Sequence, residues 1–143
     1  MARGVPSEVL DHFRSIPMFS SLSKGALRAV VRAADELDVR AGTTLVREGE
    51  SDRALYVLVD GAASVSRRGR TVGGLEPGDF FGELSFLDRG PRSATVTASS
   101  GCRLLALDAR RMDELVHEEP KIAHAMLAAL AAHLRETERS LSH

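Results

Sequence analysis

The sequence predicts a mainly β domain with helices at both ends, and two changes of periodicity carry this prediction. Apolar residues recur every three to four positions over residues 6–34 and again over 109–142, as in amphipathic helices. Between them, over residues 35–108, short β-rich runs alternate with glycine, proline and aspartate. Many short strands at near-regular spacing are typical of an antiparallel sandwich, jelly roll or barrel. We therefore expect a single domain over residues 1–143.

Length and composition limit the function classes further. The chain has 143 residues, of which 43% are hydrophobic and 27% charged, with a formal net charge of -1. This near-neutral balance gives no overall attraction to nucleic acid or to an anionic membrane, so an anion must be held by a local site. The longest apolar stretch, residues 122–134, is too short for the about 20 residues of a bilayer span. Cys102 is the only cysteine and no secretory signal is visible, so we expect a cytoplasmic protein.

The N-terminal segment is predicted as two helices. Pro17 interrupts the apolar pattern and separates them, because a proline ring breaks a helix interior. Ser23 precedes the second helix and has the side chain of an N-cap residue, which accepts a hydrogen bond from a free backbone N–H.

The central segment is predicted as a series of hairpins. Asp60-Gly61 is a strong hairpin signal between two apolar runs, and Arg68-Gly69-Arg70 is typical of the next tight turn. We interpret the arginines of that turn as a charged hairpin tip, since no aromatic platform for nucleic acid accompanies them. The predicted strands are Leu37–Val39, Thr43–Val46, Leu55–Val59, Ala62–Ser66, Thr71–Leu75, Thr95–Ala98 and Leu104–Leu107.

The C-terminal segment is predicted as two further helices. Asp108 caps a helix that runs through Val116, and Pro120 is suited to the first position of the next one, where a missing N–H costs nothing. Five residues of the last helix are spaced 3, 4, 3 and 4 apart and form a heptad seam with one polar position. This seam either pairs with a second copy of the chain or packs on its own domain. Its members are Leu127, Leu130, Leu134, Thr137 and Leu141.

Residues 80–94 match neither a regular strand nor a long helix, and they contain the candidate site. Gly82 and Ser85 are small, so backbone N–H groups at the start of a short helical turn there can approach a ligand closely. Arg92 follows Glu83 by nine residues, and its planar guanidinium suits a phosphate. Glu83 accepts hydrogen bonds only, which suits a sugar hydroxyl. A sugar phosphate satisfies both side chains together.

The same residues resemble a known family. Phe81-Gly82-Glu83-Leu84-Ser85-Phe86-Leu87, followed by Pro91-Arg92-Ser93-Ala94-Thr95-Val96, resembles the phosphate-binding cassette of cyclic nucleotide-binding domains, here residues 81–96. That family includes domains of the catabolite activator protein and protein kinase A regulatory subunit type. Flanking segments of the family pattern follow in the expected order, at Phe19–Ser23, Ala41–Glu50, Asp60-Gly61 and Pro77–Glu83.

The resemblance implies a fold and a set of contacts. The fold is an antiparallel β jelly-roll barrel with N-terminal helices and a C-terminal helix that acts as a lid and in dimerisation. Glu83 is expected to bind the ribose 2′-OH and Arg92 the cyclic phosphate, while Gly82 lets the backbone pass close to the ribose. Backbone N–H groups around Ser85 and Ala94 and the Ser93 hydroxyl add phosphate contacts. Phe81 and Leu84 complete the cassette part of the predicted ligand-binding set.

The resemblance also implies base contacts from the last helix. Thr137 stands where a threonine of the catabolite activator protein contacts adenine, and His133 replaces an arginine of several relatives. Ser93 and Thr137 together favour cAMP over cGMP.

We expect a cyclic nucleotide sensor in signal transduction that is not an enzyme, binds no metal and contacts neither membrane nor nucleic acid directly. It forms a homodimer through the last helix and acts on an effector that the sequence does not identify. No output domain is expected before the chain ends at His143. Two alternatives stay open: a protein-interaction domain on the same fold with a degenerate pocket, and a cupin-type β-barrel metalloenzyme.

Overall fold

A computed structural model describes Arg14 and residues 19–141 of the chain. Arg14 is helical, and the rest of the predicted first helix, with Pro17 at its end, lies outside the described residues. The chain divides into two compact units, one formed by Ala33–Met112 and the other by the described parts of Met1–Arg32 and Asp113–His143.

The unit Ala33–Met112 is a sandwich of two antiparallel sheets. Among the described residues, its eight strands form one sheet in the order β1-β8-β3-β6 and another in the order β2-β7-β4-β5. The predicted antiparallel jelly-roll architecture is confirmed, as two separate sheets rather than a closed barrel. The strands are β1 (Asp35–Val39), β2 (Thr44–Val46), β3 (Leu55–Asp60), β4 (Ala63–Arg67), β5 (Arg70–Leu75), β6 (Phe80–Phe81), β7 (Thr95–Ala98) and β8 (Cys102–Leu107).

The sandwich has an apolar core that both sheets supply. Burial alternates along β7, because successive residues of a strand face opposite sides of a sheet. The free thiol of Cys102 is buried in this core, where an unpaired cysteine packs as a small apolar residue. The buried residues of this cluster are Val46, Leu58, Ala63, Phe81, Val96, Ala98, Cys102 and Leu104.

Four helices accompany these strands within residues 19–141. They are α1 (Lys24–Ala33), α2 (Glu83–Asp88), α3 (Ala109–Glu118) and α4 (Pro120–Leu141). Two predicted caps are confirmed. The Ser23 hydroxyl accepts a hydrogen bond from the Ala26 N–H at 3.1 Å, and the Asp108 carboxylate accepts one from the Arg111 N–H at 2.8 Å.

In the second unit, α4 has one face buried and another exposed. Ile122 and Met126 are buried near its start, whereas Leu127 and Leu134 of the predicted seam are 63% and 60% exposed. Leu130 is half-buried. None of the described helices is both long enough and apolar enough to cross a bilayer.

Candidate functional site

The centre of the candidate site is the short helix α2, which lies between β6 and β7. The short helical turn predicted around Gly82 and Ser85 is confirmed as α2, in which the Phe86 N–H donates to the Gly82 carbonyl at 3.2 Å. Gly82 is the N-cap residue and has φ of 89°. A φ in this left-handed region favours glycine, because a Cβ is strained there.

The strand before α2 is anchored through aromatic stacking. Phe81 pairs with Tyr56 of β3, and the two rings lie nearly parallel with their centroids 5.1 Å apart. Phe81 is buried, so its ring packs in the core of the sandwich rather than facing solvent.

Arg92 enters the site from the segment before β7. Its backbone pairs with the turn after β2: the Arg92 N–H donates to Glu50 O at 2.9 Å, and Arg92 O accepts from the Gly49 N–H at 2.9 Å. The side chain is 2% exposed. Its Nη1 donates to the Gly82 carbonyl at 3.3 Å and its Nη2 to the Ala54 carbonyl at 2.8 Å. The predicted proximity of Arg92 to the start of α2 is therefore present.

The Arg92 guanidinium also forms an ion pair that the sequence analysis missed. Its Nη2 lies 3.0 Å from Oδ2 of Asp52, whose side chain is half-exposed. Asp52 lies in the turn after β2, and nothing in its local sequence indicates a partner 40 residues further along the chain. A buried guanidinium requires a counter-charge, and Asp52 supplies it.

One donor of Arg92 has no protein acceptor among the described residues. Its Nε is buried and unpaired. Burying a charged donor without a partner is unfavourable, and such groups in native structures usually have a partner such as water or an ion. A phosphate oxygen is one acceptor that would satisfy Arg92 Nε. Arg53 Nε is likewise buried and without an acceptor among the described residues.

Gly82 and Arg92 are packed so closely that no larger residue fits at position 82. A Cβ added to Gly82 lies 2.5 Å from Arg92 Nη1 and 2.6 Å from the Ala54 carbonyl oxygen. Side-chain carbons do not approach polar atoms this closely, so the contact itself selects glycine.

Asp52 has a pKa below its ordinary value. Burial alone raises the pKa of this carboxyl, but hydrogen bonds from the Ala54 N–H and the Arg92 guanidinium outweigh burial. The Ala54 N–H donates to Oδ1 at 3.1 Å. Asp52 is therefore held ionised beside Arg92. Tyr56 responds oppositely: burial, and then the charge of Asp52, raise the pKa of its phenol.

The remaining predicted residues divide between buried, exposed and undescribed side chains. Ser85 and Ala94 are buried, whereas Leu84 and Ser93 are exposed. Glu83 begins α2, but its side chain lies outside the described part of the structure. The same holds for the His133 and Thr137 side chains of α4, so the predicted ribose and base contacts stay predictions.

A comparison with known families decides the identity of this fold and site. The profile of the family described as the cyclic nucleotide-binding domain matches residues 36–119, which include β1 from its second residue, β2 to β8, α2 and α3. The chain belongs to the cyclic nucleotide-binding domain family. The predicted resemblance is thereby confirmed.

Relatives of this cyclic nucleotide-binding domain are regulators and channels. A CRP-like cAMP-activated global transcriptional regulator of Mycobacterium tuberculosis is 31% identical over 132 residues, which cover 87% of this chain and 58% of that protein. A cyclic nucleotide-gated potassium channel of Rhizobium etli is 35% identical over 112 residues, which cover 78% of this chain and 31% of the channel. The chain thus spans less than two thirds of these relatives.

Solved structures share the fold of this cyclic nucleotide-binding domain. The catabolite activator protein of Thermus thermophilus superposes with a TM-score of 0.79 at 32% identity, covering 87% of this chain and 61% of that one. The N-terminal domain of a transcriptional regulator from Streptomyces coelicolor superposes with a TM-score of 0.75 at 31% identity, covering 92% and 95%. Among the described side chains, no three His, Cys, Asp or Glu residues are grouped to hold a metal ion.

Proposed function

We propose that this domain binds a cyclic nucleotide, cAMP in preference to cGMP, and that Arg92 binds its phosphate. The observation that carries the proposal is the buried Arg92 guanidinium, whose Nε lacks a protein acceptor within the described residues and lies in the sequence context of the cassette. A charge-assisted bond from Nε to a phosphate oxygen satisfies this donor and adds to the ion pair with Asp52.

The other cassette residues take the roles implied by the family resemblance. Glu83 binds the ribose hydroxyl, and Gly82 keeps the backbone close to the ribose. Backbone N–H groups around Ser85 and Ala94 add phosphate contacts. The exposed Ser93 hydroxyl is free of core packing and is accessible to a ligand oxygen.

The choice of cAMP rests on the residue types Ser93 and Thr137 and on the relatives. The Mycobacterium tuberculosis relative is described as cAMP-activated. A regulatory domain of Toxoplasma gondii protein kinase A, solved with cAMP, is 34% identical to this chain and superposes with a TM-score of 0.69. The superposition covers 76% of this chain and 43% of the Toxoplasma gondii chain.

The signalling step is a conformational switch that involves α4. Ligand binding closes this helix over the base, with His133 and Thr137 near it, and rearranges a dimer seam built on Leu127 and Leu134. These two leucines are exposed in the single chain, which supports burial against a second copy. The ligand shifts this equilibrium only as far as it binds the closed state more tightly. The domain acts as a cytoplasmic sensor rather than as an enzyme.

Titration calorimetry with cAMP and cGMP tests the proposal. Wild type binds cAMP more tightly than cGMP. Arg92→Ala weakens cAMP binding by at least about 2–3 kcal/mol, because a charge-assisted bond to phosphate is lost. Arg92→Lys keeps the positive charge but lacks the planar guanidinium, so its cAMP affinity shows how much binding depends on guanidinium geometry. Exposed Arg70 of β5 provides the control, and Arg70→Ala leaves affinity unchanged. Equal affinity of Arg92→Ala and wild type contradicts the assigned role.

The ion pair between Arg92 and Asp52 favours a second candidate function. In a protein-interaction domain that binds no nucleotide, the Asp52 carboxylate alone balances the charge of the buried Arg92 guanidinium. In that case neither cyclic nucleotide produces heat in the same titration, at protein concentrations where the far-ultraviolet circular dichroism confirms a folded β domain.

A further inference from the structure

The turn before β3 contacts α2 as well as Arg92, and the proposed function uses only the second contact. Arg53 lies between Asp52 and Ala54, the two residues that bind the Arg92 guanidinium. Its own Nη2 donates to the Phe86 carbonyl of α2 at 2.8 Å. Its Cζ lies 5.5 Å from the centroid of the Phe86 ring, within the range of a cation–π interaction.

The carbonyl that Arg53 binds belongs to the last turn of α2. The last four carbonyls of any α-helix lack partners within the helix, and arginine side chains can satisfy them. In α2 the Ser85 carbonyl accepts from the Arg89 N–H, while the Phe86 carbonyl accepts from Arg53. A cation at this end also interacts favourably with the helix dipole.

A six-residue helix needs such tertiary support. Isolated helices shorter than about 12 residues are marginal in water, because nucleation is unfavourable. Phe86 provides part of this support, since its side chain is buried. Hydrogen bonds from two arginines add to it: Arg92 binds the Gly82 carbonyl at the start of α2, and Arg53 binds the Phe86 carbonyl near its end.

We propose that Arg53 is a positioning residue that holds α2 against Arg92. Residues 52–54 bind the Arg92 guanidinium through the Asp52 carboxylate and the Ala54 carbonyl, and bind α2 through Arg53. One turn thereby keeps the backbone of Gly82–Ser85 and the guanidinium at a constant separation. The consequence for ligand affinity rests on the proposed function, whereas the hold on α2 is a property of the ligand-free protein.

The first experiment measures amide hydrogen exchange in the ligand-free protein. Arg53→Met keeps the aliphatic stem but removes the charge and the donors. We expect the Phe86 and Arg89 amides, which donate within α2, to exchange about tenfold faster than in wild type. The amides that join β3 to β8 keep their rates. Arg53→Lys, which keeps a cation and one donor, returns the α2 rates to within about threefold of wild type.

The second experiment measures cAMP affinity of the same variants by calorimetry. We expect Arg53→Met to raise Kd about fivefold and Arg53→Lys to raise it less than twofold. Arg70→Met, an exposed arginine of β5, is the matched control and changes neither exchange nor Kd.

Three results overturn the proposal: unchanged exchange of the Phe86 and Arg89 amides in Arg53→Met, an equal acceleration in β3 and β8, or faster α2 exchange with an unchanged Kd. If wild type binds neither cyclic nucleotide, the proposed function fails, and the exchange data still decide whether Arg53 holds α2.

Discussion

Arg92 and Asp52 form an ion pair in which the two partners differ sharply in exposure. Nη2 and Oδ2 are 3.0 Å apart, the arginine side chain is 2% exposed and the aspartate side chain is 50% exposed. The cation is therefore desolvated and depends on its partner, whereas the carboxylate still contacts water.

Replacing Asp52 by asparagine should lower stability in a pH-dependent way. The folded-state pKa of Asp52 lies below the ordinary value of 3.8, so the ion pair stabilises the fold above that pH and is lost as pH falls through the folded-state pKa. We expect Asp52→Asn to reduce the free energy of unfolding by about 0.5–1 kcal/mol at pH 7, a small amount because the carboxylate is half-exposed. Urea unfolding at pH 7 and pH 3 measures this difference, which should shrink at pH 3. A difference that grows toward acid pH contradicts the assignment.

Gly82→Ala should disrupt both the fold and the ligand site. The added Cβ meets Arg92 Nη1 and the Ala54 carbonyl, and φ of 89° is strained for alanine. We expect a loss of about 1–3 kcal/mol in the free energy of unfolding and at least tenfold weaker cAMP binding. Gly73→Ala is the control, because Gly73 lies in β5 with open space around its Cβ position. Equal behaviour of the two variants in urea unfolding and calorimetry would show that Gly82 is an ordinary turn residue.

Tyr56 is a built-in optical probe of the site. It is the only tyrosine, the chain has no tryptophan, and its ring centroid lies 5.9 Å from Arg92 Cζ. Burial raises the pKa of Tyr56, and the charge of Asp52 raises it further. We expect Asp52→Asn to lower this pKa toward the ordinary 10.0, measured by the ultraviolet absorbance of the phenolate. Asp38→Asn on the exposed edge strand β1 should leave the pKa of Tyr56 unchanged. A higher pKa in Asp52→Asn would contradict the assigned electrostatics.

The exposed leucines of α4 should govern self-association. Leu134→Gln removes apolar surface from the predicted seam, so we expect the dimer dissociation constant to rise at least tenfold in sedimentation equilibrium. Exposed Ala132 lies on the opposite side of the helix by its 3.6-residue period, and Ala132→Gln is the matched control. A monomeric wild type, or equal association of both variants, would remove the proposed dimer.

The predicted strands agree with the structure to within one or two residues, apart from the short strand β6, which was not predicted. Gly61 shows why such predictions succeed. Its φ is 96°, and a Cβ at this position would meet the Cys102 sulfur. The Asp60-Gly61 hairpin therefore requires glycine both for its backbone conformation and for packing. The position of α2 followed from Gly82 in the same way. Local backbone chemistry carries these features, and a sequence displays it directly.

The hydrogen-bond partners of Arg92 and Arg53 could not be predicted from the sequence. The hydrogen bond from Arg92 to Ala54 spans 38 residues and that from Arg53 to Phe86 spans 33. Neither pair has a sequence signal, because a basic residue in a turn is usually solvated. Both depend on the pairing of β2 with β7, which continues into the bonds between Gly49 and Arg92 and brings the turn after β2 beside α2.

The sequence by itself thus determined the class of fold, the strand order along the chain, the helix caps and the place of the cassette, since each follows from residues close together in the chain. Tertiary structure decided that Arg92 is buried, that Asp52 neutralises it and that Arg53 contacts α2. The physical reason is that a buried charge takes its partner from whichever chain segment the packed sheets bring within hydrogen-bond distance.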